Sequence, residues 1–405
     1  MKLALHIGTP KTGTTTLQRW FAQNRTALQA QGVIYAQAPG AENHRKLMAY
    51  ARDTDKPDGS FAGFGIHGPE DHAAFRAGLE TALAQEVAAH PGARVWVMSN
   101  EHIFSKVITR PMARRLKDLL TPHFSEITVY LHLRPQLDLM MSNASQLARI
   151  GRQMSRVEMT RPGISPENYF FGYDRFLTNW EAVFGASNIR LVPFRRTPDM
   201  TRFLQAELGI DTSTLPAAAR ENTGLDWRAI ALANVVNRSL QAADVAPLPD
   251  FHLDSMPGTE RIQPGLALAQ EVQARFTASN AALAARRSDI TLEDLTPDWS
   301  AYAPEGNLHL VDAPCVFEAQ LGHMVRRFAG DVALETWRRH LAEGKLAALT
   351  GDAAGVSRAK RQMERLATRL TSLGVALPAA PAPRPAPTQT APAQTTPVQT
   401  GTGTA

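Results

Sequence analysis

Ile7-Gly8-Thr9-Pro10-Lys11-Thr12-Gly13-Thr14-Thr15-Thr16-Leu17-Gln18 is the stretch on which the reading of this chain turns. It joins an apolar run, Leu3–Ile7, to a segment in which Leu17, Trp20, Phe21 and Leu28 recur on one helical face. A strand-to-helix junction offers backbone N–H groups and the positive end of a helix dipole, which together suit a phosphate. Gly13 lets the backbone approach an anion closely, and Thr12, Thr14 and Thr15 add hydroxyl donors. Threonines around a glycine also occur at ordinary helix starts. A lysine, a glycine and three threonines at one junction favour the phosphate site. Gly8 and Gly13 have the separation of the Walker A pattern, yet Thr14 stands where that pattern has its lysine, and Lys11 lies inside the loop. This weakens a nucleotide-triphosphate kinase or ATPase reading.

Working outward, short apolar runs alternate with helical patterns. Strands are expected at Leu3–Ile7, Val33–Tyr35, Val95–Ser99, Ile127–Leu133 and Ile189–Phe194, and helices at Thr15–Gln31, Ala73–Ala89 and Met112–Leu120. This alternation predicts a three-layer α/β domain, P-loop-like in topology, whose central parallel sheet is flanked by helices. Gly32 reads as a helix C-cap. The Gly/Pro/Asp-rich segment 53–69 reads as an excursion over the sheet. Segment 152–167, with Arg152, Arg156 and Arg161, reads as a lid or binding loop. After Phe194 the pattern is helical: 226–242, 266–287, 316–327, 333–346 and 357–373.

The run P-K-T-G-T-T resembles the 5′-phosphosulfate loop of the PAPS-dependent sulfotransferases, where PAPS is 3′-phosphoadenosine 5′-phosphosulfate. The resemblance implies a loop from Pro10 to Thr15. In it Lys11 touches the oxygen bridging phosphate and sulfate, and Thr12, Gly13, Thr14 and Thr15 bind the 5′-phosphate. That family also places an arginine at the end of a central strand and a serine eight residues later, both on the 3′-phosphate. Here Val129-Tyr130-Leu131-His132-Leu133-Arg134-Pro135 is followed by Ser142. An arginine fork suits a phosphate, and a serine two helical turns on can add a hydroxyl. A third match is weaker. Arg220, Asn222 and Thr223 could close over the 3′-phosphate, or Asn222 and Thr223 could cap the next helix. The resemblance spans about residues 2–240.

Sulfuryl transfer needs a base for the acceptor's proton and positive charge near the leaving oxygen. Glu101 follows the third expected strand at the edge where α/β proteins bind ligands. His102 is adjacent, and on an extended segment the two side chains would point oppositely, so that one faces the site. Glu101 is favoured because Ser-x-Glu after this strand looks like the bacterial members of the family. A plain acidic residue at a helix start is the other reading. His44, after the second strand, is a third candidate. His6 and His132 lie within strands and read as core histidines.

The bulk properties fit without deciding. The chain has 405 residues, 44% hydrophobic, enough for one large core. A net charge of +5 suits an anionic ligand weakly. Cys315 is the single cysteine, so no intrachain disulfide can form. The short N-terminal apolar run is unlike a secretory leader, and a cytoplasmic location is expected. No metal motif and no nucleic-acid-binding motif is evident, and no apolar run is long enough for an integral membrane segment. The expected organisation is an α/β domain over 1–330, a helical C-terminal extension over 331–377 and a disordered Pro/Ala/Thr/Gln-rich tail over 378–405. The helices after about residue 330 could pair chains into a homo-oligomer or pack on the core. The function expected is transfer of a sulfuryl group from PAPS to a hydroxyl or amine of a small-molecule or carbohydrate acceptor, without a metal. The rivals are the kinase/ATPase and a non-catalytic nucleotide-binding relative.

Overall fold

The computed structural model describes residues 1–218, 224–242, 253, 256–312 and 318–376. Arg220, Asn222, Thr223, Cys315 and the 378–405 tail lie outside the described residues. Five strands form the sheet: β1 (Lys2–His6), β2 (Val33–Tyr35), β3 (Val95–Ser99), β4 (Glu126–Leu133) and β5 (Ile189–Pro193). All neighbours are parallel, in the order β2-β3-β1-β4-β5, with His6 in register with both Ser99 and Tyr130. The strands read as near-continuous apolar runs because helices cover both faces. The alternating residues of β1 show this. Leu3, Leu5 and Ile7 enter one cluster with Trp96, Met98 and Val129, whereas Ala4 enters the other with Val97 and Tyr130.

The connections carry α1 (Thr14–Gln23), α2 (Arg25–Ala30), α3 (Arg45–Ala51), α4 (Pro69–Ala88), α5 (His102–Lys106), α6 (Arg110–Leu120), α7 (Gln136–Arg149), α8 (Arg156–Thr160) and α9 (Tyr173–Phe184). After β5 follow α10 (Met200–Glu207), α11 (Trp227–Ala242), α12 (Leu266–Ala274), α13 (Thr277–Arg286) and α14 (Leu308–Asp312). Then come α15 (Glu318–Leu349) and α16 (Ala353–Ser372). Leu17, Trp20, Phe21, Leu28 and Leu204 of α1, α2 and α10 fill one face of the sheet; residues of α3, α4, α6 and α9 fill the other. A third core joins α7, α11 and α12 through Leu137, Met140, Ile230 and Val272. The contacts group Met1–Val325 and Arg326–Ala405 into two compact units, the division falling within α15.

Four expectations change. The helix expected over 15–31 breaks at Asn24, whose side-chain amide donates to Trp20 O (2.8 Å), a local bond that competes with the helix. The segment 266–287 breaks before Phe276, which is buried in the third core. The two helices expected at 316–327 and 333–346 are instead one. Gly330 does not interrupt it, and a Cβ there would stand 2.6 Å from Val375 Cγ2, so the glycine admits a close neighbour. Segments 53–69 and 152–167, read as loop excursions, are packed along part of their length, and the second contains the short helix α8. Phe61 and Ile66 pack on Ala49, and Met154, Met159 and Ile164 anchor α8 in the third core. Single apolar residues among Gly, Pro and Arg carry no period, so the sequence pattern misses them. Among the described residues no helix is long and apolar enough to cross a membrane.

Candidate active site

The C-terminal ends of β1, β3 and β4 meet at one edge of the sheet. The loop after β1 is laced to β4: Thr9 N and Oγ1 both donate to His132 O (2.9 and 3.0 Å), and His132 N donates to Gly8 O (2.6 Å). Its backbone is left-handed at Gly8 (φ +94°), Lys11 (+66°) and Gly13 (+85°). Lys11 is the non-glycine residue with positive φ among those described, a conformation that costs on the order of 1–2 kcal/mol and points to a constrained loop. A Cβ on Gly13 would meet nothing within 4 Å among the described residues, so space lies beside the start of α1. There the N–H groups of Thr14, Thr15 and Thr16 precede the first intrahelical bond, Leu17 N to Gly13 O (3.1 Å).

The predicted loop donors separate by role. The Thr12 hydroxyl is buried and donates to Thr9 O (2.7 Å), so it shapes the loop, and its backbone N–H is what remains for an anion. The Thr14 and Thr15 hydroxyls have no partner among the described residues. Pro10 is half-buried at the turn. Lys11 Nζ reaches Gln146 Oε1 on α7 (3.4 Å).

Arg134 lies at the end of β4 under this loop. Its Nη1 donates to Lys11 O (3.2 Å), and its guanidinium sits 4.7 Å from the Phe194 ring centroid. Its Nε is buried without a partner, and no carboxylate comes within ion-pair distance among the described residues. Burial pulls its pKa down, opposed by Asp138, though an arginine stays charged. Asp138 is raised by burial and accepts from Tyr302 Oη (2.8 Å), while Tyr173 Oη donates to Arg134 O (2.8 Å). Ser142 is half-buried on α7, its hydroxyl without a partner among the described residues. One turn on, Ser145 is already taken, accepting from Leu225 N (2.9 Å).

Glu101 packs directly on the loop. A Cβ on Gly8 would stand 2.9 Å from Glu101 Cβ, so glycine at 8 lets the carboxylate segment lie against the backbone of the loop after β1. Gly8→Ala is expected to push the 100–102 segment away from the loop and lower activity at least about tenfold; it should also lower the melting temperature, since φ +94° disfavours any Cβ. Glu101 Oε2 accepts from Gln18 Nε2 (2.9 Å) and Asn43 Nδ2 (3.4 Å). Gln18 in turn donates to Ser99 Oγ (3.2 Å), which contacts His6 Nδ1 (2.8 Å), and Asn100 bonds Asn43. Glu101 Oε1 faces His102 Nε2 at 3.7 Å.

That last contact corrects the expectation that Glu101 and His102 point oppositely. Glu101 is already in helical conformation (φ −71°, ψ −19°) at the start of α5, so the period-two rule of a strand does not apply. Burial holds His102 below its ordinary pKa, Glu101 opposing and Arg45 adding to the shift. His44 is corrected as a base. It is fully buried, its Nδ1 accepts from Ser99 N (2.7 Å), and its Nε2 donates to Ala36 O (2.8 Å). Both ring nitrogens are spent inside the fold. His6 and His132 are buried core histidines, as expected, each with one ring nitrogen paired (to Ser99 Oγ and Thr197 O) and the other without a partner among the described residues.

Residue-by-residue reading missed Gln18, Asn43 and Gln146. Gln18 carried a signal, a polar side chain on the apolar face of α1. No protein-family model matches the chain, and no curated protein matches it. A solved structure that it resembles is the crystal structure of a sulfotransferase from Alicyclobacillus acidocaldarius, at 18% identity over 54% of this chain and 85% of that one. The TM-score is 0.35, too low for that likeness to bear on fold or chemistry.

Proposed function

We propose that the chain is a sulfotransferase that uses PAPS. The observation that carries the reading is Arg134: a largely buried guanidinium that, among the described residues, lacks a carboxylate partner and keeps one N–H unpaired, one loop away from the start of α1. Two anion seats side by side suit a donor with a 5′-phosphosulfate and a separate 3′-phosphate. Such a donor supplies a sulfuryl group joined to its 5′-phosphate through a bridging oxygen. The α1 N–H groups with Thr14 and Thr15 hold the 5′-phosphate, and Arg134 with Ser142 holds the 3′-phosphate. Lys11 balances the charge gathering on the bridging oxygen as the S–O bond breaks. Glu101 takes the proton of the acceptor hydroxyl as that oxygen bonds to sulfur. Gln18 and Asn43 anchor Oε2 and leave Oε1, 3.7 Å from His102 Nε2, to take the acceptor's proton. A kinase reading would want a lysine after Gly13, where Thr14 stands.

Calorimetry tests this with adenosine 3′,5′-bisphosphate (PAP) and ATP, each with and without Mg²⁺. PAP should bind without metal and more tightly than ATP. Arg134→Ala should weaken PAP roughly 10–100-fold, the worth of a lost charge-assisted hydrogen-bond pair. Arg134→Lys, which keeps the charge but loses the fork, should fall between. Preference for Mg·ATP, or PAP binding indifferent to both folded variants, would overturn the proposal.

A further inference from the structure

α15 packs one face on α16 and leaves another open. Small residues bring the two helices together: a Cβ on Gly344 would stand 3.0 Å from Ala359 Cβ, and one on Gly355 would stand 2.9 Å from Ala347 Cβ. Asp352 Oδ1 caps α16 by accepting from Gly355 N (2.8 Å). On the open face Phe328, Val332 and Leu346 remain 57%, 42% and 63% exposed, and Ala342 is exposed as well. Soluble helices seldom leave such a row uncovered.

The row has a pattern. Positions 328, 332, 335, 339, 342 and 346 step by four and three residues in turn, which is coiled-coil spacing, and they fall within about 80° of helical arc. Their chemistry is the same from either end. Phe328 and Leu346 stand outermost, Val332 and Ala342 inside them, and Glu335 and Arg339 at the centre. An isologous two-fold contact requires that residue i meet j while j meets i. An antiparallel copy of α15 meets that requirement at every layer.

We propose that this face binds a second copy of the chain, two α15 helices pairing antiparallel about a two-fold axis that crosses the seam midway between Glu335 and Arg339. Phe328 meets Leu346 of the other copy, Val332 meets Ala342, and Glu335 meets Arg339, each twice. The central charged pair selects this register at some cost in stability, since a parallel in-register pair would set Glu335 against Glu335 and Arg339 against Arg339. Each is held within its own helix only by exposed contacts, Glu335 to Arg338 (3.5 Å) and Arg339 to Glu343 (3.6 Å), which are weak enough to exchange. At the flanks Asp331 faces Lys345 favourably, whereas Arg338 nears its own image, with Glu335 of its own chain beside it.

Charge also selects a copy over an acidic partner. Residues 326–376 carry ten Lys and Arg against five Asp and Glu, but residues 328–349 carry three of each. The excess lies on α16 and at Arg326 and Arg327, so the seam itself is neutral.

Sedimentation equilibrium on the full chain tests the proposal. The wild type should dimerise at micromolar concentration. Glu335→Arg and Arg339→Glu should each weaken the dimer at least about tenfold, as like charges then face each other twice. An equimolar mixture of the two variants should dimerise again, because each mixed pair sets the two arginines of one variant against the two glutamates of the other across the seam. An effect confined to one helix could not be rescued by mixing. Phe328→Ser with Leu346→Ser should give a monomer of unchanged helix content by circular dichroism. A wild type still monomeric at about 100 µM, a dimer indifferent to these changes, or a mixture that stays monomeric would each overturn the proposal.

Discussion

Glu101→Gln should lower the rate of sulfuryl transfer by about two to four orders of magnitude, the range associated with a positioned general base. PAP affinity should stay within about twofold, because the side chain bonds Gln18 and Asn43 rather than Arg134 or the proposed phosphate-binding residues of the first loop. Gln keeps the shape and an acceptor oxygen for those amides, so the fold survives while the proton acceptor is gone. Release of PAP from PAPS in the presence of a panel of hydroxyl acceptors reads the effect. His102 stands 3.7 Å away with its pKa lowered by burial, so His102→Ala separates the two candidates. A fall confined to His102→Ala would transfer the base to the histidine and remove Glu101 from the mechanism.

The second large effect is a loss of stability in mild acid. Burial pushes His6 and His44 down to about 3 and His132 down to about 4. In the unfolded chain each titrates near its ordinary value of about 6.5. The folded state therefore refuses three protons that the unfolded state accepts. The stabilisation is complete above about pH 6.5 and is lost as pH falls toward the folded values, each site contributing up to about 1.4 kcal/mol per pH unit. By pH 5 the three together amount to roughly 6 kcal/mol, comparable with the whole stability of many domains. Urea melts between pH 8 and 5 measure the slope, and His6→Asn should reduce it by about a third. A flat profile from pH 7.5 to 5.5 would show that these histidines stay solvated or protonated in the fold.

How far the site was legible varies by residue. Lys11 and Gly13 stood out as a lysine and a glycine among threonines at one strand-to-helix junction, whereas Arg134 drew notice only through its order and spacing relative to that loop. His44 stood behind Glu101 in sequence, yet remained a candidate base. Only its burial between Ser99 and Ala36 set it aside. Gln18 and Asn43 stand 83 and 58 residues from Glu101, and no local pattern brings them to its carboxylate. Thr12 was assigned to the anion by type, and the loop's own closure took its hydroxyl. The helix predicted through Asn24 failed because one side-chain bond to the backbone outweighed a good apolar period.

The sequence by itself determined the five strands, nearly to the residue, and the α/β layering. Strands buried on both faces must be apolar throughout and are cut off by Gly, Pro and polar turns, so their signal is local. It also determined the turn after β1, where Gly8 and Gly13 take the positive φ that glycine favours. The tertiary structure alone decided the strand order β2-β3-β1-β4-β5, which sets the ends of β1, β3 and β4 side by side. It alone placed Arg134 beneath Lys11 across 123 residues, and turned Glu101 and His102 to the same side. Those facts rest on long-range pairing, and a one-dimensional pattern records which faces are apolar without recording what each face meets.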